Sequence, residues 1–179
     1  TTFRQVYPKL RLMWIYALGP PWHLRSGFQV GHNEITPNAR EGSLLGLLNP
    51  LGAGGGFLVL ANTALRRDTR DDYNDSNRGM LDEFLVEYGV GGGGDFRGGR
   101  FGFEHRHFLP LPAGLILAQR ASLALACGQL PFYEELKLGG DDTVRGLPAA
   151  RERGEGRLLF NAEVRWPGFS PLPSLPVRG

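Results

Sequence analysis

Between Arg157 and Trp166 apolar and polar residues alternate: Leu158, Phe160, Ala162, Val164 and Trp166 take the even positions, and Arg157, Asn161, Glu163 and Arg165 lie among the odd ones. A period of two puts the first set on one face of an extended strand and the second on the other. Arg100–Phe108 repeats the pattern, with Phe101 and Phe103 against Arg100, Glu104 and Arg106. In Gly114–Gly128, Leu115, Leu117, Ala121, Leu123 and Leu125 share one phase, opposite Arg120 and Ser122. Helix propensity competes there. Pro112 and Gly128 bound the segment, however, and its ends offer no helix cap, so a strand is predicted. Further strands are predicted at 9–18 (Leu10, Leu12, Trp14, Tyr16 in phase), 22–31, 55–66 (Phe57, Val59, Ala61, Leu65) and 80–91 (Phe84, Val86, Tyr88, Val90). Residues 32–54 are less regular, and Ser43–Leu48 reads either as a short helix in a loop or as another strand.

Seven strands, or eight with 32–54, make an all-β chain. Its 27 glycines and 13 prolines agree, since both residues disfavour helix interiors and mark turns. Alternation alone fits two architectures, a soluble sandwich with its polar face in water and a membrane barrel with its polar face in the lumen. The connections favour the barrel. Gly19-Pro20-Pro21, 67–79 and 109–113 would lie at one end, with 32–54, 92–99 and 129–156 at the other. The second group is longer on the whole, as in outer-membrane barrels with short periplasmic turns and long external loops, although thirteen residues at 67–79 are many for a turn. Trp14, Tyr16, Trp22, Tyr88 and Trp166 suit aromatic girdles at a membrane interface. A mean hydropathy of −0.22, with no apolar run of the roughly 18 residues a membrane helix needs, excludes a helical span and leaves a barrel open.

Charge and candidate chemistry narrow the function. A net charge of +2, with 20 basic residues dispersed among 18 acidic ones, gives no nucleic-acid footprint. The single Cys127 excludes an internal disulfide framework and any CxxC metal site. His105 and His107 lie two apart on one strand face without a third ligand and read as surface or aromatic-belt residues. Asp68, Asp71 and Asp72, like Asp141 and Asp142, lack calcium-loop spacing and read as turn and capping residues. No catalytic set and no cofactor site is predicted; no Gly-X-Ser-X-Gly elbow occurs.

Two segments carry a family resemblance. Leu138-Gly139-Gly140-Asp141-Asp142-Thr143-Val144-Arg145-Gly146, followed by Phe160-Asn161-Ala162-Glu163-Val164-Arg165-Trp166, resembles the BamA/TamA superfamily of outer-membrane assembly factors. In that family a Gly-Gly followed by Val-Arg-Gly and an aromatic forms the tip of a loop that folds back into the lumen. Leu147 stands here in place of the aromatic. Earlier, Asp68-Thr69-Arg70-Asp71, then Asn77-Arg78-Gly79, resembles the family's Asp-Thr-Arg-Asp segment and the turn into its next strand, without the usual proline. The resemblance covers about 67–166. It implies a loop tip of Gly139, Gly140, Val144, Arg145 and Gly146, and a strand-and-turn motif of Asp68, Arg70, Asp71 and Gly79. A guanidinium offers a rigid fork of donors that a wall carboxylate can grip, and Glu163 is the candidate partner of Arg145. The family's second partner, an Asp on the following strand, is not found before Gly179.

The resemblance further implies an antiparallel transmembrane β-barrel of sixteen strands in the bacterial outer membrane, of which residues 1–179 would form one part. Thr1-Thr2-Phe3-Arg4 shows neither an initiator Met nor a signal peptide, in keeping with a piece of a longer protein. Such a barrel would insert, assemble or translocate outer-membrane proteins without being an enzyme. Its expected partners are outer-membrane lipid, unfolded outer-membrane protein clients, and accessory lipoproteins or periplasmic subunits. Two other readings stay open: a barrel anchoring a patatin-like phospholipase, and a soluble β-sandwich that binds a ligand or partner.

Overall fold

A computed structural model describes residues 3–37, 48–92 and 95–166, with Phe3 and Arg4 described by their backbone alone. Ten strands appear: β1 Phe3–Val6, β2 Lys9–Gly19, β3 Trp22–Pro37, β4 Gly56–Asp68, β5 Gly79–Gly91, β6 Phe96–Pro110, β7 Ile116–Gln129, β8 Leu136–Leu138, β9 Glu152–Gly154 and β10 Gly156–Arg165. All seven predicted strands are found. β3 runs six residues past its predicted end and β6 starts four residues early, so part of 32–54 and of 92–99 is strand. The predicted alternatives for Ser43–Leu48 lie outside the described residues, save Leu48 itself.

The main sheet has eight strands, every pair antiparallel. β3 pairs along one side with β2 and then, past Gly31, with β1, so Phe3–Val6 and Lys9–Gly19 act as one edge strand interrupted at Tyr7-Pro8. Proline has no N–H to give a ladder, which confines it to such edges and breaks. From β3 the sheet runs as a simple meander through β4, β5, β6 and β7 to β10. β10 at one edge and β1 with β2 at the other pair with no further strand among the described residues. This is the topology of part of a β-barrel. The short β8 and β9 pair only with each other, within the connection from β7 to β10.

Pairing aligns the sequence alternation into rows. Tyr16, Leu24, Leu65, Phe84, Phe103, Leu123 and Leu158 succeed one another across seven strands. This outer face is apolar and largely uncovered, with Phe84, Val86 and Tyr88 each about half exposed. Phe84 and Phe103 pack ring against ring at 4.7 Å, and Trp14 lies 5.8 Å from Phe28. All five expected girdle aromatics are exposed.

The opposite face encloses a cavity of about 620 Å³. Its middle band is charged and internally paired. Glu83 on β5 accepts from Arg25 on β3 at 2.9 Å and pairs with Arg66 on β4 at 2.6 Å, and Glu104 pairs with Arg106 at 2.5 Å and with Arg120 at 2.9 Å. Apolar clusters flank this band, with Ile35, Leu58, Leu60, Phe96 and Tyr133 toward the long loops, and Phe108, Ile116 and Ala118 toward the turns. The core thus lies on the cavity side, and the outer face keeps its apolar surface uncovered. An exposed apolar area of this extent marks contact with lipid or another protein.

Candidate functional site

The longest described connection, 130–155, folds back over the cavity face instead of projecting from the sheet. Its base is a short 3-10 turn, Phe132–Glu134, entered through Pro131. Pro131 is fully buried and lies over Gly52, where no side chain would fit. The Phe132 amide donates to the Leu51 carbonyl at 2.9 Å, stitching the base to the β3–β4 connection. Tyr133, only 5 % exposed, fills the apolar cluster beside Phe96, ring edge to ring face at 6.5 Å. Its hydroxyl lies beside Asn33, which is itself buried and accepts from Gln5 at 2.8 Å. Burial pushes the Tyr133 phenol up to about 12, and the Glu134 charge next to it acts in the same direction.

Arginines on the sheet hold the loop's backbone. Arg100 on β6 donates to the Glu134 carbonyl at 3.0 Å and to its carboxylate at 3.0 Å, while its Nε donates to Glu87 of β5 at 2.7 Å. Arg120 on β7 donates to the Asp142 carbonyl at 2.6 Å, and Arg157 on β10 to the Lys137 carbonyl at 2.9 Å. Arg153 on β9 donates to the Phe132 carbonyl at 2.9 Å, inside the loop. A guanidinium suits this use because it stays charged and presents several donors in fixed directions. Lys137 shares the crowding: burial and the positive charges of Arg153 and Arg100 bring its ammonium below the usual lysine range.

The predicted loop tip is built as a closed turn. Gly139 and Gly140 have φ of +110° and +93°, in the region that favours glycine, and a Cβ at Gly139 would run into the Pro148 carbonyl. The Gly139 amide donates to Thr143 Oγ1 at 2.8 Å and the Gly140 amide to the Leu147 carbonyl at 3.0 Å. Thr143 is buried and Val144 half-buried, while Arg145 is 79 % exposed at its side chain. Arg145 Nη1 lies 3.6 Å from Glu163 Oε2, so the structure brings the predicted pair together. The contact is loose, and the other Glu163 oxygen is held by Arg165 at 2.5 Å. An exposed pair of this kind contributes roughly 0.2–1 kcal/mol, against roughly 1.5–3 kcal/mol for a hydrogen bond to a charged group away from water.

The second motif forms the β4–β5 turn. Arg70 is buried beneath Tyr73 and pairs with Asp68 at 2.8 Å. The Asp71 carboxylate accepts from the Asn77 and Arg78 amides at 3.0 and 3.2 Å, and Asp72 from the Asn74 and Asp75 amides at 2.7 and 2.8 Å. These amide bonds hold both carboxyls below the ordinary aspartate range. Thr69 and Asp71 donate to the Met80 and Arg78 carbonyls, so the ten residues 69–78 continue the hairpin as a folded turn. Gly79 closes it at φ +97°, where a Cβ would strike the Thr69 carbonyl. Along the strands the two motifs lie toward the same end of the sheet: Glu163, which meets the loop tip, stands in one row with Ala118, Phe108 and Gly79. On the outer face His105 Nδ1 lies 2.7 Å from Asp82, which also meets Arg67 at 3.4 Å, and the His105 and His107 rings are 6.0 Å apart.

Arg100, Arg120, Arg157 and Tyr133 are the site residues that sequence reasoning passed over. The cavity-facing phase of the three arginines is legible in the alternation. Their targets are loop carbonyls, which have no side-chain signature.

No curated protein matches the chain. The Omp85 superfamily domain matches residues 5–152, from within β1 to the first residue of β9, and so takes in β2–β8, the folded β4–β5 turn and most of the inward loop. The members of that family are outer-membrane-associated assembly and transport factors. With an all-β meander, a paired polar cavity face, an apolar outer face and this match over most of its length, the chain belongs to the Omp85 superfamily.

Proposed function

We propose that this chain forms part of the wall of an outer-membrane barrel of the BamA/TamA type, which helps outer-membrane proteins insert into, or cross, the bilayer. The observation that carries the reading is the 130–155 loop folded onto the ion-paired cavity face, with its Gly139–Gly146 tip at Glu163. The outer rows meet lipid, which neither donates nor accepts hydrogen bonds and so tolerates only apolar side chains at depth. The cavity face supports the loop through guanidinium-to-carbonyl bonds. This needs no covalent chemistry: the protein acts by lowering the barrier for client strands to enter the membrane. Clients and accessory lipoproteins or periplasmic subunits are its expected partners.

The test is reconstitution of the protein in lipid vesicles and measurement of how fast an unfolded outer-membrane protein acquires heat-modifiable gel mobility. Vesicles holding the protein should fold the client faster than empty ones, and Arg145→Ala should diminish the gain. Equal rates with and without the protein would overturn the assembly reading.

A further inference from the structure

The attachments of the loop are of unequal quality. At the tip, Arg145 is mostly exposed and stands 3.6 Å from a carboxylate that Arg165 already occupies, and Arg120 of β7 adds one exposed hydrogen bond to the Asp142 carbonyl. At the base, one side chain, Arg100, bridges three groups: the Glu87 carboxylate on β5, the Glu134 carboxylate and the Glu134 carbonyl. All three side chains are well shielded, with 22 % exposure for Arg100, 14 % for Glu87 and 20 % for Glu134. Next to them Pro131 and Tyr133 are buried against Gly52 and Phe96. We propose that Arg100, with Tyr133, is the positioning residue that fixes the loop over the cavity, and that the Arg145 tip is its releasable end.

The inference rests on the assembly reading above for its functional meaning, but its geometry stands apart from it. Glu163 can lose Arg145 and still keep a cation, because Arg165 holds its other oxygen. Arg120 in turn can release the Asp142 carbonyl and still keep Glu104, so detaching the tip strands no carboxylate. Detaching the base is different in kind: it leaves Glu87 and Glu134 without their shared cation and pulls Tyr133 out of an apolar cluster. The loop is then a hinged arm, pinned at 131–135, with the β8–β9 hairpin as its stem and 139–148 as its moving end. The stem has a lighter hold, through Arg157 to the Lys137 carbonyl. Arg100 sits on β6, so the pin ties the loop to the middle of the sheet and not to the β10 edge.

Hydrogen exchange read by mass spectrometry on the protein in lipid nanodiscs tests this. Arg100→Ala should speed exchange on the order of tenfold or more in peptides covering both 131–138 and 139–148, since local opening controls the rate. Arg145→Ala should speed exchange in 139–148 alone. Glu134→Ala removes only the loop's side of the bridge and serves where Arg100→Ala fails to fold; it should release the same two peptides, with β5–β7 protection unchanged. Arg100→Lys, which keeps one charge but not the fork, should recover only part of the protection. Release of the whole loop by Arg145→Ala, or full protection at 131–138 in both Arg100→Ala and Glu134→Ala, would overturn the proposal. In the client-folding assay the base variants should slow folding at least as much as Arg145→Ala. If exchange behaves as described and client folding does not change, the anchor stands and the assembly reading falls.

Discussion

Val86→Arg asks whether the outer face meets hydrocarbon. Val86 is 53 % exposed on β5, in a row with Thr63 and Phe101 and between the outward-facing Phe84 and Tyr88. It stands four residues from Asp82, the nearest outward charge on its strand, or about 14 Å along the chain at roughly 3.4 Å per residue. At a barrel strand's tilt of about 35–45° that is about 10 Å of depth, near the middle of an apolar band about 25 Å tall. An arginine at the midplane costs about 2–4 kcal/mol, which lowers the folding equilibrium by roughly 30- to 900-fold. The control is the adjacent Leu85→Arg. Its side chain faces the cavity, in the same phase as Glu83 and Glu87, where a cation finds carboxylates and water; about 1 kcal/mol is expected there. Urea titration of both variants in vesicles, followed by gel mobility without heating, gives the two stabilities. If Leu85→Arg proves as damaging as Val86→Arg, or more so, the assignment of faces to lipid and lumen is wrong.

Gly79→Ala should destabilise the β4–β5 turn by about 1–3 kcal/mol, the range for a strained non-glycine backbone, read in the same titration; an unchanged midpoint would contradict the role given to its positive φ. Asp71 and Asp72 titrate below the ordinary aspartate value in the folded turn, so the stability they confer is present above about pH 4 and lost as pH falls through their lowered values. Exchange of the Asn77 and Arg78 amides, corrected for intrinsic rate, should accelerate in that acid window, and Asp71→Asn should remove the dependence. Tyr133 runs the other way: its raised value means that the neutral phenol supports the loop base below about pH 10, and that this support is lost as pH climbs through about 12. Tyrosinate absorbance should show one late-titrating tyrosine, absent in Tyr133→Phe, and loop exchange should rise together with it.

Strand positions and faces were legible in the sequence because a strand exposes its period directly. Leu158, Phe160, Ala162 and Val164 are all exposed on the outer side of β10, as their phase requires. So was the β4–β5 turn, since Asp71 and Gly79 act on backbone only a few residues away. The Arg145–Glu163 pair was legible through family resemblance alone, and its looseness was not. β1 escaped notice because four residues are too few to show a period, and it exists only through its register with Glu34–Pro37. The β8–β9 hairpin, three residues on each side, escaped for the same reason.

What the sequence determined by itself is therefore local and periodic: which residues extend, which face each side chain takes, and where glycine and aspartate turn the chain. The tertiary structure decided what those faces meet. Glu83 draws arginines from β3 and β4, and Arg100 reaches Glu134, 34 residues away, because antiparallel pairing and a folded-back loop set them side by side. A guanidinium bound to a backbone carbonyl leaves no pattern in the residues it binds, since every residue has that carbonyl. The loop's true hold on the sheet could be found only in three dimensions.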